Sequence, residues 1–163
     1  MKTTEIVPNN QINDALLSVR VAKILLATLT LFIGGMIYLL LRPDYLLMFS
    51  WLEFFGVGKM VDLLRSESMV FHRALPNWVI YSLPQGLWAF SGVLYFDSVW
   101  KRPEAGHRVW ILTFVVTALW AEVGQYMGYL PGHFGVYDFT VLTTSIGLAF
   151  CLFLFSRCVT TDQ

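Results

Sequence analysis

The stretch "LWAEVGQYMGYLPGHFGVYDF", Leu119–Phe139, sets a carboxylate in a part of the chain that otherwise avoids charge. Glu122 follows a long apolar and aromatic run, and Gln125 and Tyr126 stand three and four residues further on, on the same helical face. A turn rich in Gly and Pro, "LPGHFGVY", then leads to Asp138 and another apolar run. Two apolar runs joined by such a turn read as antiparallel helices. Whether their solvent is water or lipid decides the fold.

Composition answers that question. The chain has 163 residues, of which 56% are hydrophobic and 13% charged, half the charged share usual in soluble domains. So small a soluble core cannot hide that much Leu, Ile, Val, Phe and Trp, whereas a bilayer solvates it directly. The formal net charge of zero gives no electrostatic footprint for nucleic acid. The expected fold class is an all-α integral membrane protein forming a single domain, 1–163.

Four runs reach the length needed to cross about 30 Å of hydrocarbon. They are expected at 22–41, 77–96, 108–127 and 138–155, as a bundle of four transmembrane helices. Asn13 or Asp14 is a candidate cap for the first helix and Asp138 for the last. No small-residue cleavage site follows the first run, so it reads as a retained span rather than a signal peptide. Pro84 and Gly86 near the middle of the second run predict a kink. Between spans one and two, approximately 44–65, Asp44, Glu53, Lys59, Asp62 and Arg65 punctuate a segment rich in Phe, Trp and Leu. Its apolar part, about 14 residues, is short for a span. It suits interfacial helices or a re-entrant pair broken at Gly56-Val57-Gly58. Residues 1–12 read as a flexible polar leader.

Lys2, Arg20, Lys23, Lys101, Arg102, Arg108 and Arg157 fall on the side holding both termini, against Arg42, Lys59, Arg65 and Arg73 on the other. By the distribution of basic residues both termini are expected on the cytoplasmic side of a multi-pass membrane protein.

A carboxylate near the centre of a spanning helix costs about 2.5–3.5 kcal/mol to insert, so Glu122 should face protein or water. The expected intramembrane polar pocket comprises Glu122, Gln125, Tyr126, Gln85, Thr143, Thr144 and Asp138, with Ser82 and Ser145 at similar depth. Two roles stand open for it: an interhelical tie that fixes register, or a site for a lipid headgroup, a proton or another polar ligand. No nucleophile–base pair accompanies Glu122, so no catalytic residue is expected and the chain does not read as an enzyme. His72, His107 and His133 are scattered, and Cys151 and Cys158 lie two turns apart on one helix. Neither pattern makes a metal site, and no cofactor is expected. The tryptophans near predicted interfaces read as anchors. Gly34-Gly35, Gly86 and Gly92 read as places for close helix approach.

The pattern Glu122-x-x-Gln125 with Asp138 opening the next span resembles the signature of VanZ-like membrane proteins, and "LPQGLWAFS" in span two adds to the likeness. The resemblance covers about a third of the chain. It departs from the family where the turn lacks a basic residue, with His133 nearest, and where the Asn common after the Asp is replaced. It implies a polytopic envelope protein linked to glycopeptide tolerance. In overall profile alone the chain is similar to the membrane subunits of Kiwa phage-defence systems, which implies sensing at the inner membrane and a cytoplasmic partner. The leading expectation is therefore a non-catalytic sensor or anchor that forms homo-oligomers. Its cytoplasmic protein partner would dock on Lys101, Arg102 and Arg108, with the lipid bilayer as its other partner. The alternative is a VanZ-like protein whose pocket binds a lipid or cell-wall precursor. A proton-coupled transporter ranks last, because the inner halves of the spans offer few polar groups.

Overall fold

The computed structural model describes residues 9–42, 47–100, 105–131 and 134–161, and among them the regular structure is entirely helical. In chain order the helices are α1 (Asn9–Leu41), α2 (Leu47–Phe54), α3 (Gly58–Ala74), α4 (Asn77–Tyr81), α5 (Leu83–Val99), α6 (Ala105–Tyr126) and α7 (Val136–Thr161). Three of them carry segments long and apolar enough to cross a membrane: Leu17–Leu41, Ala105–Tyr126 and Val136–Leu154. Their outer flanks bear Leu25, Leu29 and Phe32 on α1, Leu112 and Val116 on α6, and Leu148 and Leu154 on α7, all exposed. Large apolar surface of this kind marks contact with lipid or with another protein.

The expected second span is two helices rather than one. Pro84 cannot donate to Ile80, its neighbour one turn back, and its ring crowds that carbonyl. The helix therefore stops at Tyr81 and restarts at Leu83 around the buried Ser82, whose N–H donates to Trp78 O at 2.9 Å. Other boundaries move as well. α1 begins at Asn9, so Asn13 and Asp14 lie inside it rather than capping it, and residues 9–12 belong to it rather than to a leader; residues 1–8 fall outside the described residues. α3 continues to Ala74, past the expected end of the interfacial segment.

α5 is the centre of the fold. α1 runs antiparallel to it, as shown by contacts from Arg20 on Ser98 and Val99 to Tyr38 on Trp88. α6 is antiparallel on another side, and α7 is parallel, with Val141 and Ser145 against Gly86. Small residues allow this crowding. Ala27, Val93, Leu94 and Ala149 join α1, α5 and α7, while Ala89, Leu142 and Ile146 form a second buried cluster. Gly34 lies under the Leu87 and Trp88 side chains, and Gly92 lies against the Phe114 ring. Ser91 sends its hydroxyl to Ala27 O at 2.9 Å, a helix-to-helix bond within this packing.

Gly86 is the tightest of these approaches to backbone. A Cβ there lies 2.6 Å from both Ser145 Oγ and Val141 Cγ1 and 3.2 Å from Val141 O. Gly86→Ala should therefore destabilise the fold by about 1–3 kcal/mol through overpacking. Gly35→Ala, with nothing within 4 Å of the new atom, should be neutral or slightly stabilising, since Ala is the better helix former. Thermal unfolding of the two purified variants beside the parent checks the pair, and equal effects would refute the packing account.

Arginines finish the helix ends. The last carbonyls of a helix have no partner within it, and here a neighbouring helix supplies one. Arg20 on α1 donates to Ser98 O and Val99 O at the end of α5. Arg42 donates to Tyr81 O at the end of α4 (2.7 Å), and Arg65 on α3 to Leu39 O near the end of α1 (2.9 Å). Ser68 adds a bond to Leu40 O.

Candidate functional site

The polar site at one end of the fold forms where α6 stops. Gly128, at φ +74°, is the left-handed residue that ends a helix. Its N–H bonds Gln125 O, and Tyr129 N–H reaches back to Gly124 O at 2.8 Å, the paired bonds of a Schellman turn. Leu130 then folds over Gly124, where a side chain larger than hydrogen would meet Leu130 Cδ1 at 2.8 Å. The ring of Tyr126 stands edge-on to Phe134, which packs on Phe139, and these contacts tie the loop to both helices.

Below that loop Glu122 is 3% exposed. Gln85 on α5 donates through Nε2 to Glu122 Oε1 at 2.6 Å. Glu122 Oε2 is also buried, and it has no hydrogen-bond partner among the described residues. A buried carboxyl oxygen left without a partner is costly and is rarely retained without a use. Gly86, directly after Gln85, brings Ser145 of α7 alongside.

The other residues expected in this pocket are placed differently. Gln125 is half-buried, and Tyr126 is turned outward against Phe134. Thr143 spends its hydroxyl on its own helix, donating to Phe139 O at 2.8 Å, and Thr144 is exposed. Asp138 stands in the first turn of α7, two residues after the helix starts, close against Gly135. A carboxylate there complements the helix dipole. The structure thus joins Glu122 to Gln85 directly, while Thr143 bonds its own helix and Thr144 is exposed. His133, and Lys101 and Arg102, expected to dock a partner, lie outside the described residues, while Arg108 is exposed at the start of α6.

A second polar cluster occupies the opposite end of α5 and was not singled out in the sequence. Asp97 accepts from Lys23 Nζ on α1 at 2.6 Å and lies 3.1 Å from His107 Nε2 on α6. His107 is 2% exposed, and its Nδ1 has no hydrogen-bond partner among the described residues. The Phe153 ring of α7 lies 5.9 Å from both the His107 ring and the Lys23 ammonium. Three helices therefore meet at one carboxylate, and α7 packs beside its two basic partners. The signal available in the sequence was the antiparallel register: Asp97 and His107 flank one short connection, just as Gln85 and Glu122 stand at the far ends of the same two helices. Polar contacts thus pin the α5–α6 pair at both ends, with Phe114 against Gly92 between them.

Chemically, the Glu122–Gln85 pair offers one buried carboxyl oxygen without a hydrogen-bond partner among the described residues, and the Asp97 cluster offers a carboxylate shared by two basic groups. No three His, Cys, Asp or Glu side chains gather as a metal site among the described residues. Comparison with protein-family models, with curated proteins and with solved structures finds no match to this chain.

Proposed function

We propose that this chain is a four-span envelope membrane protein that binds the headgroup of a lipid or cell-wall precursor at Glu122 and Gln85. The spans are α1, α4 with α5, α6 and α7, with both termini cytoplasmic. Residues 77–99 rise roughly 34 Å as broken helix, enough for about 30 Å of hydrocarbon. The carrying observation is Glu122 Oε2, which is buried and unpartnered beside an oxygen held by Gln85. It supplies a hydrogen-bonding position that a hydroxyl, amide or ammonium of a headgroup can fill. The resemblance to VanZ-like proteins, whose pattern includes this Glu, supports the same reading.

Glu122→Gln tests it. The substitution keeps an oxygen for Gln85 and replaces the free oxygen by an NH2 group, which reverses the polarity offered to a ligand. Native mass spectrometry of protein extracted from membranes should show the parent with bound lipid or precursor and the variant without it, at equal yield. Unchanged lipid occupancy in a well-folded variant would overturn the assignment.

A second reading has one observation in its favour. α3 is fastened to the end of α1 by Arg65 and Ser68 while carrying an exposed apolar flank. A sensor of membrane state, oligomeric and coupled to a cytoplasmic partner, needs such a link between a surface helix and a span. Crosslinking in intact membranes separates the readings, since only this one requires stable association with a second protein.

A further inference from the structure

α2 and α3 form a helical hairpin whose surface divides by chemistry. On α3, Val61, Arg65 and Ser68 recur at helical spacing and face inward. Lys59, Asp62 and Ser66, also at helical spacing, make one exposed flank, which mixes both signs of charge. Met60, Leu63 and Leu64 are exposed on the other. Trp51, Phe54 and Phe55 at the end of α2 are exposed as well, and Phe54 is 83% exposed. Glu67, one turn beyond Leu63, limits the apolar flank to the first turns of α3.

The tip between the helices keeps its own backbone bonds. Gly56, at φ +75°, donates to Glu53 O at 2.9 Å, Val57 N–H reaches Leu52 O at 3.0 Å, and Phe55 N–H bonds Trp51 O. This Schellman turn leaves the amides of the aromatic tip satisfied without water, which is what backbone entering an apolar phase requires.

We propose that this hairpin docks on the lipid surface of the bilayer, with Trp51, Phe54, Phe55, Met60, Leu63 and Leu64 at the boundary between headgroups and acyl chains. The inference rests on the membrane reading above. It commits to lipid as the occupant for three reasons. The tip is apolar with satisfied amides. Glu53 and Glu67 at the margins hold it at headgroup depth and oppose a full crossing. The fastening of α3 to α1 continues the apolar coat of a span whose Leu25, Leu29 and Phe32 are exposed. The opposite flank, with Lys59 and Asp62, faces water.

The test uses the full chain carrying Cys151→Ser and Cys158→Ser, reconstituted in vesicles of phosphatidylethanolamine and phosphatidylglycerol. Nitroxide labels are placed one at a time at Phe55→Cys, Met60→Cys, Leu63→Cys, Asp62→Cys and Ser66→Cys, with Phe32→Cys on α1 as reference. Collisions with oxygen should exceed those with a water-soluble nickel chelate at 55, 60 and 63, and the order should reverse at 62 and 66. Labels at 60 and 63 that meet the chelate as 62 does would overturn the proposal. Shielding from both reagents would also overturn it and point to a second copy or another protein. Chelate access at 32 would sink the membrane reading itself.

Discussion

Asp97→Ala is expected to lower stability by about 3–5 kcal/mol, the cost of leaving one member of a buried ion pair without its partner. The carboxylate is enclosed by Lys23 at 2.6 Å and His107 at 3.1 Å, and its side chain is 8% exposed. Alanine removes the acceptor for both, strands the ammonium of a lysine whose side chain is only 16% exposed, and loosens α1, α5 and α6 at one point. The double variant Lys23→Met with Asp97→Leu should recover much of the loss, because neutral side chains of similar volume carry no such penalty. It should not recover all of it, since His107 then lacks its acceptor as well. Unfolding in mixed micelles, followed by circular dichroism for parent, single and double variants, gives the comparison. A single variant within about 1 kcal/mol of the parent would mean that Lys23 finds water when its partner goes, since exposed pairs contribute no more than that.

The second large effect concerns Gln85 and Glu122. Gln85→Leu takes away the donor at Oε1 and leaves a buried carboxyl with neither oxygen held, a loss of about 1–3 kcal/mol and more if the group is charged. Replacing both partners by leucine should be nearly neutral for stability, because no polar group is then left unsatisfied. The same double variant should bind no lipid or precursor. That pattern distinguishes a binding site from a tie between helices. If the pair serves only register, the double variant keeps whatever lipid the parent carries. If it binds a headgroup, the double variant is folded and empty. The measurement is unfolding beside native mass spectrometry on the same preparations.

Much of the architecture was legible because its causes are local. The apolar runs that became α1, α6 and α7 declare themselves by length and composition, and Gly128 and Gly56 end helices where left-handed backbone was needed. Pro84 pointed to a break, though its size had to be learned: a full interruption at Ser82 rather than a bend. Glu122 was visible as a lone carboxylate in an apolar run because nothing around it in sequence is charged. Its partner Gln85 was one of several polar groups at matching depth, and only packing could choose among them. Thr143 shows why: a threonine in a helix can satisfy its hydroxyl on its own backbone, so depth alone does not make it a ligand. The Lys23–Asp97–His107 cluster stayed hidden for a different reason. Its members are far apart in sequence or separated by a turn, and each has an ordinary explanation at a helix end.

The borrowed helix ends bear on how the protein is made. α5 has a broken start, small side chains and a final turn whose carbonyls wait for Arg20. As the span proposed above, such a segment is a poor candidate for leaving the translocon alone. α1 is synthesised earlier and already carries Arg20, Lys23 and the Ala27 carbonyl that α5 will meet. On the four-span reading proposed above, α5 is inserted against a first helix already in place, and severing the chain between them should leave α5 to the quality-control proteases.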